Sequence, residues 1–68
     1  MKLSARNQLT GTVKEIKVGV VTVEVILDLG NGQTITSIIS KDACEELGLA
    51  VGSKATAVVK STSVLLMA

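Results

Sequence analysis

Apolar and polar positions alternate along most of this chain, and the alternation changes phase at identifiable points. Leu9, Gly11 and Val13 alternate with Thr10, Thr12 and Lys14, the period of a strand with one covered face. Ile16 and Val18 fall on the opposite parity, so a β-bulge is expected near Lys14–Glu15, bending the strand as a small barrel requires. Gly19 marks a break. From Val20 to Leu29 the pattern is strongest: Val21, Val23, Val25, Leu27 and Leu29 form one unbroken apolar face. The other face of that segment mixes Val20, Thr22, Glu24, Ile26 and Asp28. Gly30, Asn31 and Gly32 tolerate positive φ and predict a hairpin turn. Gln33 to Ile39 returns as a third strand with Ile35 and Ile39 on one face.

The only helical signal spans Ser40 to Gly48. Ser40 suits the N-cap, Asp42 the first turn and Gly48 the left-handed C′ position. Ala43, Cys44 and Leu47 give it a short apolar stripe, long enough for one or two turns. A turn through Gly52–Ser53 leads into a fourth strand, Lys54 to Lys60, and Val64 to Met67 reads as a short fifth. Three strands, a short helix and two further strands predict an all-β fold: a small five-stranded Greek-key barrel of OB type, a single domain over residues 1–68. Both faces of the second strand carry apolar residues, so one face is expected to meet another subunit.

Composition adds to this picture mainly by subtraction. With 68 residues the chain lies near the lower limit for a self-sufficient core, and such chains lean on disulfides, metals or partners. One cysteine and no histidine remove the first support and leave little for a metal centre. Subunit association remains, and a hydrophobic fraction of 47% with mean hydropathy +0.54 agrees with it. The absence of aromatic residues removes the stacking platforms of single-strand nucleic-acid binders, and a net charge of +1 offers no basic field. The opening residues lack a signal-peptide pattern, and no apolar run approaches the roughly 20 residues that cross a bilayer. A cytoplasmic location is expected, to which the free thiol of Cys44 adds slight support.

Catalysis has no foothold, because no general base of the histidine type and no nucleophile–base spacing is present. Asp42, Glu45 and Glu46 read as a solvated helix face, and Cys44 as a small packing residue. Gly30–Gly32 precedes a strand rather than a helix, so it reads as a hairpin and not as a phosphate loop. Two polar clusters remain. Ser4, Arg6 and Asn7 stand just before the first strand, and Lys60, Ser61, Thr62 and Ser63 follow the fourth. Neither contains a carboxylate. A tetrahedral dianion requires cations and hydroxyl or amide donors without competing acceptors, which these segments supply. Equally, such residues are ordinary on the solvated rim of loops.

The run Ser4-Ala5-Arg6-Asn7-Gln8-Leu9 with Gly11-Thr12-Val13 resembles the opening of the molbindins, the molybdate-binding Mop/TOBE domain family. Lys60-Ser61 after a hydrophobic strand resembles its second motif, and Leu47-Gly48-Leu49 with Gly52 its helix exit. The resemblance spans essentially the whole chain. It implies an OB-like barrel with strand exchange between subunits and oxyanion sites at the interfaces, and, at this length, hexamers built as trimers of dimers. It implies molybdate or tungstate as bound ligand, no organic cofactor, and Ser4, Arg6, Lys60 and Ser61 as ligands with backbone groups around Ala5. Ser40 takes the place of a strand-three threonine ligand, in competition with its capping role. A second site class on the threefold axes is placed at the backbone of Gly19 and Val20.

The function expected is therefore oxyanion binding for intracellular molybdenum storage or homeostasis, without enzymatic activity. Against it stand two alternatives: an OB-type nucleic-acid-binding domain and a molybdate-sensing module acting through a partner protein.

Overall fold

The computed structural model describes residues 5–68. Strand β1 (Asn7–Val18) is long, and β2 (Thr22–Gly30), β3 (Gln33–Ser40), helix α1 (Lys41–Leu47) and β4 (Lys54–Val59) follow in order. The strands are antiparallel neighbours in the order β3-β2-β1-β4, curled into a half-barrel. β1 changes partner along its length. Its first part pairs with β4 from Asn7↔Val59 to Thr12↔Lys54, and its second with β2 from Thr12↔Asp28 to Val18↔Val23.

The bulge expected at Lys14–Glu15 lies at that changeover, where the β1–β2 register shifts between Val13 and Glu15. The extra residue flips the parity of apolar positions, so Val13 and Ile16 both reach the core side. Val13 is buried; its N–H donates to the Ser53 carbonyl and its carbonyl accepts from the Gly52 N–H, each at 2.8 Å. The loop before β4 is thereby tied to the middle of β1.

Val13, Val23, Val25 and Leu27 form the buried core, with Ile16, Leu29, Ile35, Ile39, Cys44, Leu49, Ala55 and Ala57 packed around it. The period-two reading of β2 is accurate from Val23 onward. Val21, counted on that face, instead lies in the turn before β2 and is 70% exposed. The turn takes Gly19 to Val21 out of the strand because the Gly19 N–H donates to the Thr22 carbonyl at 2.8 Å. Gly30, Asn31 and Gly32 all have positive φ, as the hairpin requires. Helix α1 begins and ends where its caps predict: Ser40 Oγ accepts from Ala43 N–H at 3.0 Å, and Gly48 has φ 65°.

The expected fifth strand does not form within the single chain. After β4 the chain makes one 3-10 turn, Ser61–Ser63, and Val64 to Met67 pairs with no strand among the described residues. Leu65, Leu66 and Met67 are 92%, 94% and 98% exposed. A four-residue apolar segment gains nothing as a strand without an edge to pair with and a face to cover. What it leaves behind is a cleft of about 580 Å³ between β3 and β4, lined by Val25, Leu27, Ile35 and Ile39 on one side and Ala55, Ala57 and Val59 on the other.

Candidate oxyanion site

Past Thr12, the first part of β1 and its partner β4 run on as a two-stranded ribbon, since the β1–β2 ladder does not extend there. Side chains alternate across it. Leu9, Gly11, Ala55 and Ala57 take the core parity, while Gln8, Thr10, Thr12, Lys54, Thr56 and Val58 take the outer one. Two contacts fix this orientation: Thr10 Oγ1 and Thr56 Oγ1 are 2.9 Å apart, and Lys54 Nζ donates to Thr12 Oγ1 at 3.1 Å.

The ladder's last pair is Asn7↔Val59. One step further, the same register sets Arg6 opposite Lys60, both exposed and both on the outer parity. Ala5 and Ser61 follow at the same tip. Like charges directly opposite one another on antiparallel strands are destabilising, yet neither cation has a carboxylate partner among the described residues, whose one ion pair is Lys17–Glu24. The 3-10 turn adds the hydroxyls of Ser61, Thr62 and Ser63 beside Lys60. The polar clusters from the two ends of the sequence are thus joined by strand pairing. Gln8 also belongs here: it lies two residues from Arg6 and hence on the same face, a placement readable from the alternation but given no role by the sequence reading.

The other expected ligands lie elsewhere. Ser4 falls outside the described residues. Ser40 pairs with Thr22 at the Val18 end of the 12-residue β1, away from Arg6 and Lys60 in the same chain. Its Oγ accepts the capping bond while its O–H proton remains available to donate. Gly19 and Val20 form the adjacent turn, and the Lys41 N–H donates to the Val21 carbonyl at 3.0 Å, so these three positions share one corner with Ser40. The Gly19 N–H is committed to Thr22, which leaves the Val20 amide as the donor of the pair. Among the described residues no group of three or more Cys, Asp or Glu side chains is arranged to hold a metal ion, and no helix is long and apolar enough to cross a membrane.

A curled antiparallel sheet with a donor-rich, carboxylate-free tip defines a small all-β domain suited to holding an anion. The chain belongs to the TOBE domain family, whose model matches residues 3–66. It is 57% identical over 68 residues to molybdenum-pterin-binding protein 2 of Clostridium pasteurianum, covering all of both chains. A molybdate-binding protein from Sporomusa ovata superimposes with TM-score 0.93 at 38% identity over the full length of both chains. The cytoplasmic molybdate-binding protein ModG, in a form with molybdate bound, superimposes with TM-score 0.86 at 54% identity over 90% of this chain and 43% of its own.

Proposed function

We propose that this protein binds molybdate, and tungstate with it, for intracellular molybdenum storage or homeostasis. The observation that carries the reading is the Arg6–Lys60 tip: two opposed cations, surrounded by donors and without a carboxylate, whose repulsion a dianion would relieve. Arg6 offers a planar fork and Lys60 a compact charge. Ser4, Ser61 and the backbone at Ala5 supply further donors, and Ser40 reaches an anion only from another subunit. Gly19 and Val20 line the second class of site.

A site lined by donors alone favours fully deprotonated dianions. Phosphate retains a proton near neutral pH and would leave it without an acceptor. Sulfate is rejected by size, its bonds being shorter than those of molybdate.

The working form is a homo-oligomer, a hexamer built as a trimer of dimers, with anions at its interfaces. Three features support association. The apolar tail Val64–Met67 is exposed, the β3–β4 cleft is open, and Leu9 is 42% exposed on the parity that forms the core further along β1. The tail of one subunit seated in the cleft of another would supply the fifth strand of the OB-type barrel. Binding rather than catalysis is the activity.

Titration calorimetry at neutral pH tests the reading. Molybdate and tungstate are expected to bind with little response to sulfate or phosphate. Equal heats for sulfate would overturn the selectivity, and no heat with molybdate would overturn the site. Native mass spectrometry reports subunit number and bound anions together.

A further inference from the structure

The β2–β3 hairpin has no part in the anion reading, yet its loop holds the only Asn–Gly step in the chain. Gly30 and Gln33 are the last pair of the ladder, and Asn31 and Gly32 are the two residues between them. Asn31 has φ 54° and Gly32 φ 75°, the left-handed pair that a type I′ turn requires. Both residues are exposed. Nothing lies within 4 Å of the place a Gly32 Cβ would take, so the backbone there stands in open space. Among the described residues, the Gly32 N–H meets no acceptor and the Asn31 carboxamide makes no hydrogen bond. The neck of the hairpin is held by the Gly30 N–H, which donates to Asp28 Oδ1 at 2.9 Å.

We propose that Asn31 is a site of self-modification: its carboxamide is lost by attack of the Gly32 nitrogen, at a rate set by opening of the hairpin neck that Asp28 holds. The Gly32 nitrogen gives up its proton and bonds to Asn31 Cγ, closing a succinimide ring. The Cγ–Nδ2 bond breaks, and ammonia leaves with that proton. Water then opens the ring. Addition at Cγ breaks the new bond and leaves aspartate; addition at the Asn31 main-chain carbonyl breaks the original peptide bond and leaves isoaspartate. The balance is water consumed and ammonia released, with no enzyme, metal or oxidant. Glycine suits the attacking position because no Cβ crowds its nitrogen. Ring closure swings the Asn31–Gly32 peptide out of the turn conformation, so the Gly30↔Gln33 pair must first open. When such opening is fast and reversible, the rate follows the fraction of molecules open. The products differ from the starting hairpin in two ways. Aspartate brings the formal net charge of the chain from +1 to zero, by one carboxylate added at the tip. Isoaspartate adds a main-chain carbon to a two-residue loop, whose length sets the β2–β3 register.

The test follows the full-length protein through prolonged incubation at mildly alkaline pH, folded in buffer and unfolded in urea, and then digests it with trypsin. Peptide Val18–Lys41 carries Asn31, and peptide Asn7–Lys14 carries Asn7, the other asparagine of the chain. Mass spectrometry reads the exchange of an amide nitrogen for oxygen in each, and chromatography separates the aspartyl from the isoaspartyl form. In the folded protein, conversion is expected at Asn31, as both products, well ahead of Asn7. No conversion at Asn31, or equal conversion at Asn7, would overturn the site. Asn31 is expected to convert faster in urea than in the folded chain; equal rates would overturn gating by the hairpin. Asp28→Ala removes the bond to the Gly30 N–H and is expected to speed conversion of the folded chain roughly two- to tenfold, the worth of one hydrogen bond. In urea it is expected to match the native rate. An unchanged or slower rate in folded Asp28→Ala would take the gate away from Asp28 and leave the modification site standing. Were that variant not to fold, the native comparison of folded with unfolded chain still tests the gate.

Discussion

Two pairs of charged residues face each other across strands of this sheet, and they are opposite in kind. Lys17 and Glu24 are direct partners in the β1–β2 ladder, with Nζ and Oε2 3.6 Å apart. Arg6 and Lys60 hold the equivalent relation one step past the β1–β4 ladder, with the same sign of charge. The first pair lies where β1 is backed by β2 and, through it, by β3. The second stands at the tip of a two-stranded ribbon. Where charge serves the fold, it is complemented within the chain. Where it is left uncomplemented, the proposed function makes an anion the missing partner, and a neighbouring subunit would also steady the isolated ribbon.

Converting the second pair into the first kind has the largest expected effect. Lys60→Glu would set a carboxylate opposite Arg6. Molybdate affinity is expected to fall by roughly a hundredfold or more, since a charge-assisted contact is lost and a repulsive one gained. The anion-free protein is expected to gain about 0.2–1 kcal/mol, the ordinary worth of a cross-strand ion pair. Calorimetry and chemical denaturation at fixed protein concentration read the two effects. A variant that still binds molybdate as the native chain does would end the comparison.

Gly11 sits on β1 between the two pairs and tests whether they are independent. A Cβ there would lie 2.6 Å from the Asp28 carbonyl oxygen, a backbone atom that cannot swing aside. Gly11→Ala is expected to cost about 1–3 kcal/mol of stability. Because Gly11 touches neither charge pair, the increase in melting temperature given by molybdate should persist in the variant. Its disappearance would mean that the tip depends on the β1–β2 contact.

These two positions also show what the sequence could and could not convey. The alternation through Val23, Val25 and Leu27, the parity change after Val13 and the caps at Ser40 and Gly48 are local signals, and each is realised. Pairing of β1 with β4 is not local: it joins residues about 50 apart and depends on register, which no stretch of the chain encodes alone. The opposition of Arg6 and Lys60 is therefore invisible in the sequence, although the lack of carboxylate neighbours and the family resemblance point to both residues. The tail is ambiguous for a related reason. Val64 to Met67 has strand composition, but a strand is defined by its partner, and within one chain that partner is absent among the described residues.

Ser40 ranks next in expected effect because two roles meet in one hydroxyl. Ser40→Ala removes the bond to the Ala43 N–H and is expected to cost about 1 kcal/mol. Ser40→Asp keeps a good cap but adds a negative charge. If a subunit's Ser40 donates to an anion held by another, the aspartate variant is expected to fold normally and bind molybdate at least about tenfold more weakly. Native affinity in Ser40→Asp would confine the residue to capping.

The smallest effect is expected at the complemented pair, and it is the control that gives the comparison its meaning. Lys17 is 62% and Glu24 36% exposed, so the attraction between them is largely shared with water and ions. Glu24→Gln keeps the shape of the side chain and removes its charge. At low salt it is expected to cost about 0.2–1 kcal/mol, and at 1 M salt, where the screening length falls to about 3 Å, close to nothing. Molybdate affinity should stay within about twofold of native, because Glu24 is at the far end of β1 from Arg6. Denaturation at the two salt concentrations and calorimetry at one would check both statements. A marked gain in anion affinity in Glu24→Gln would show that Lys17 is itself held in reserve for an anion and that the two pairs do not differ in kind.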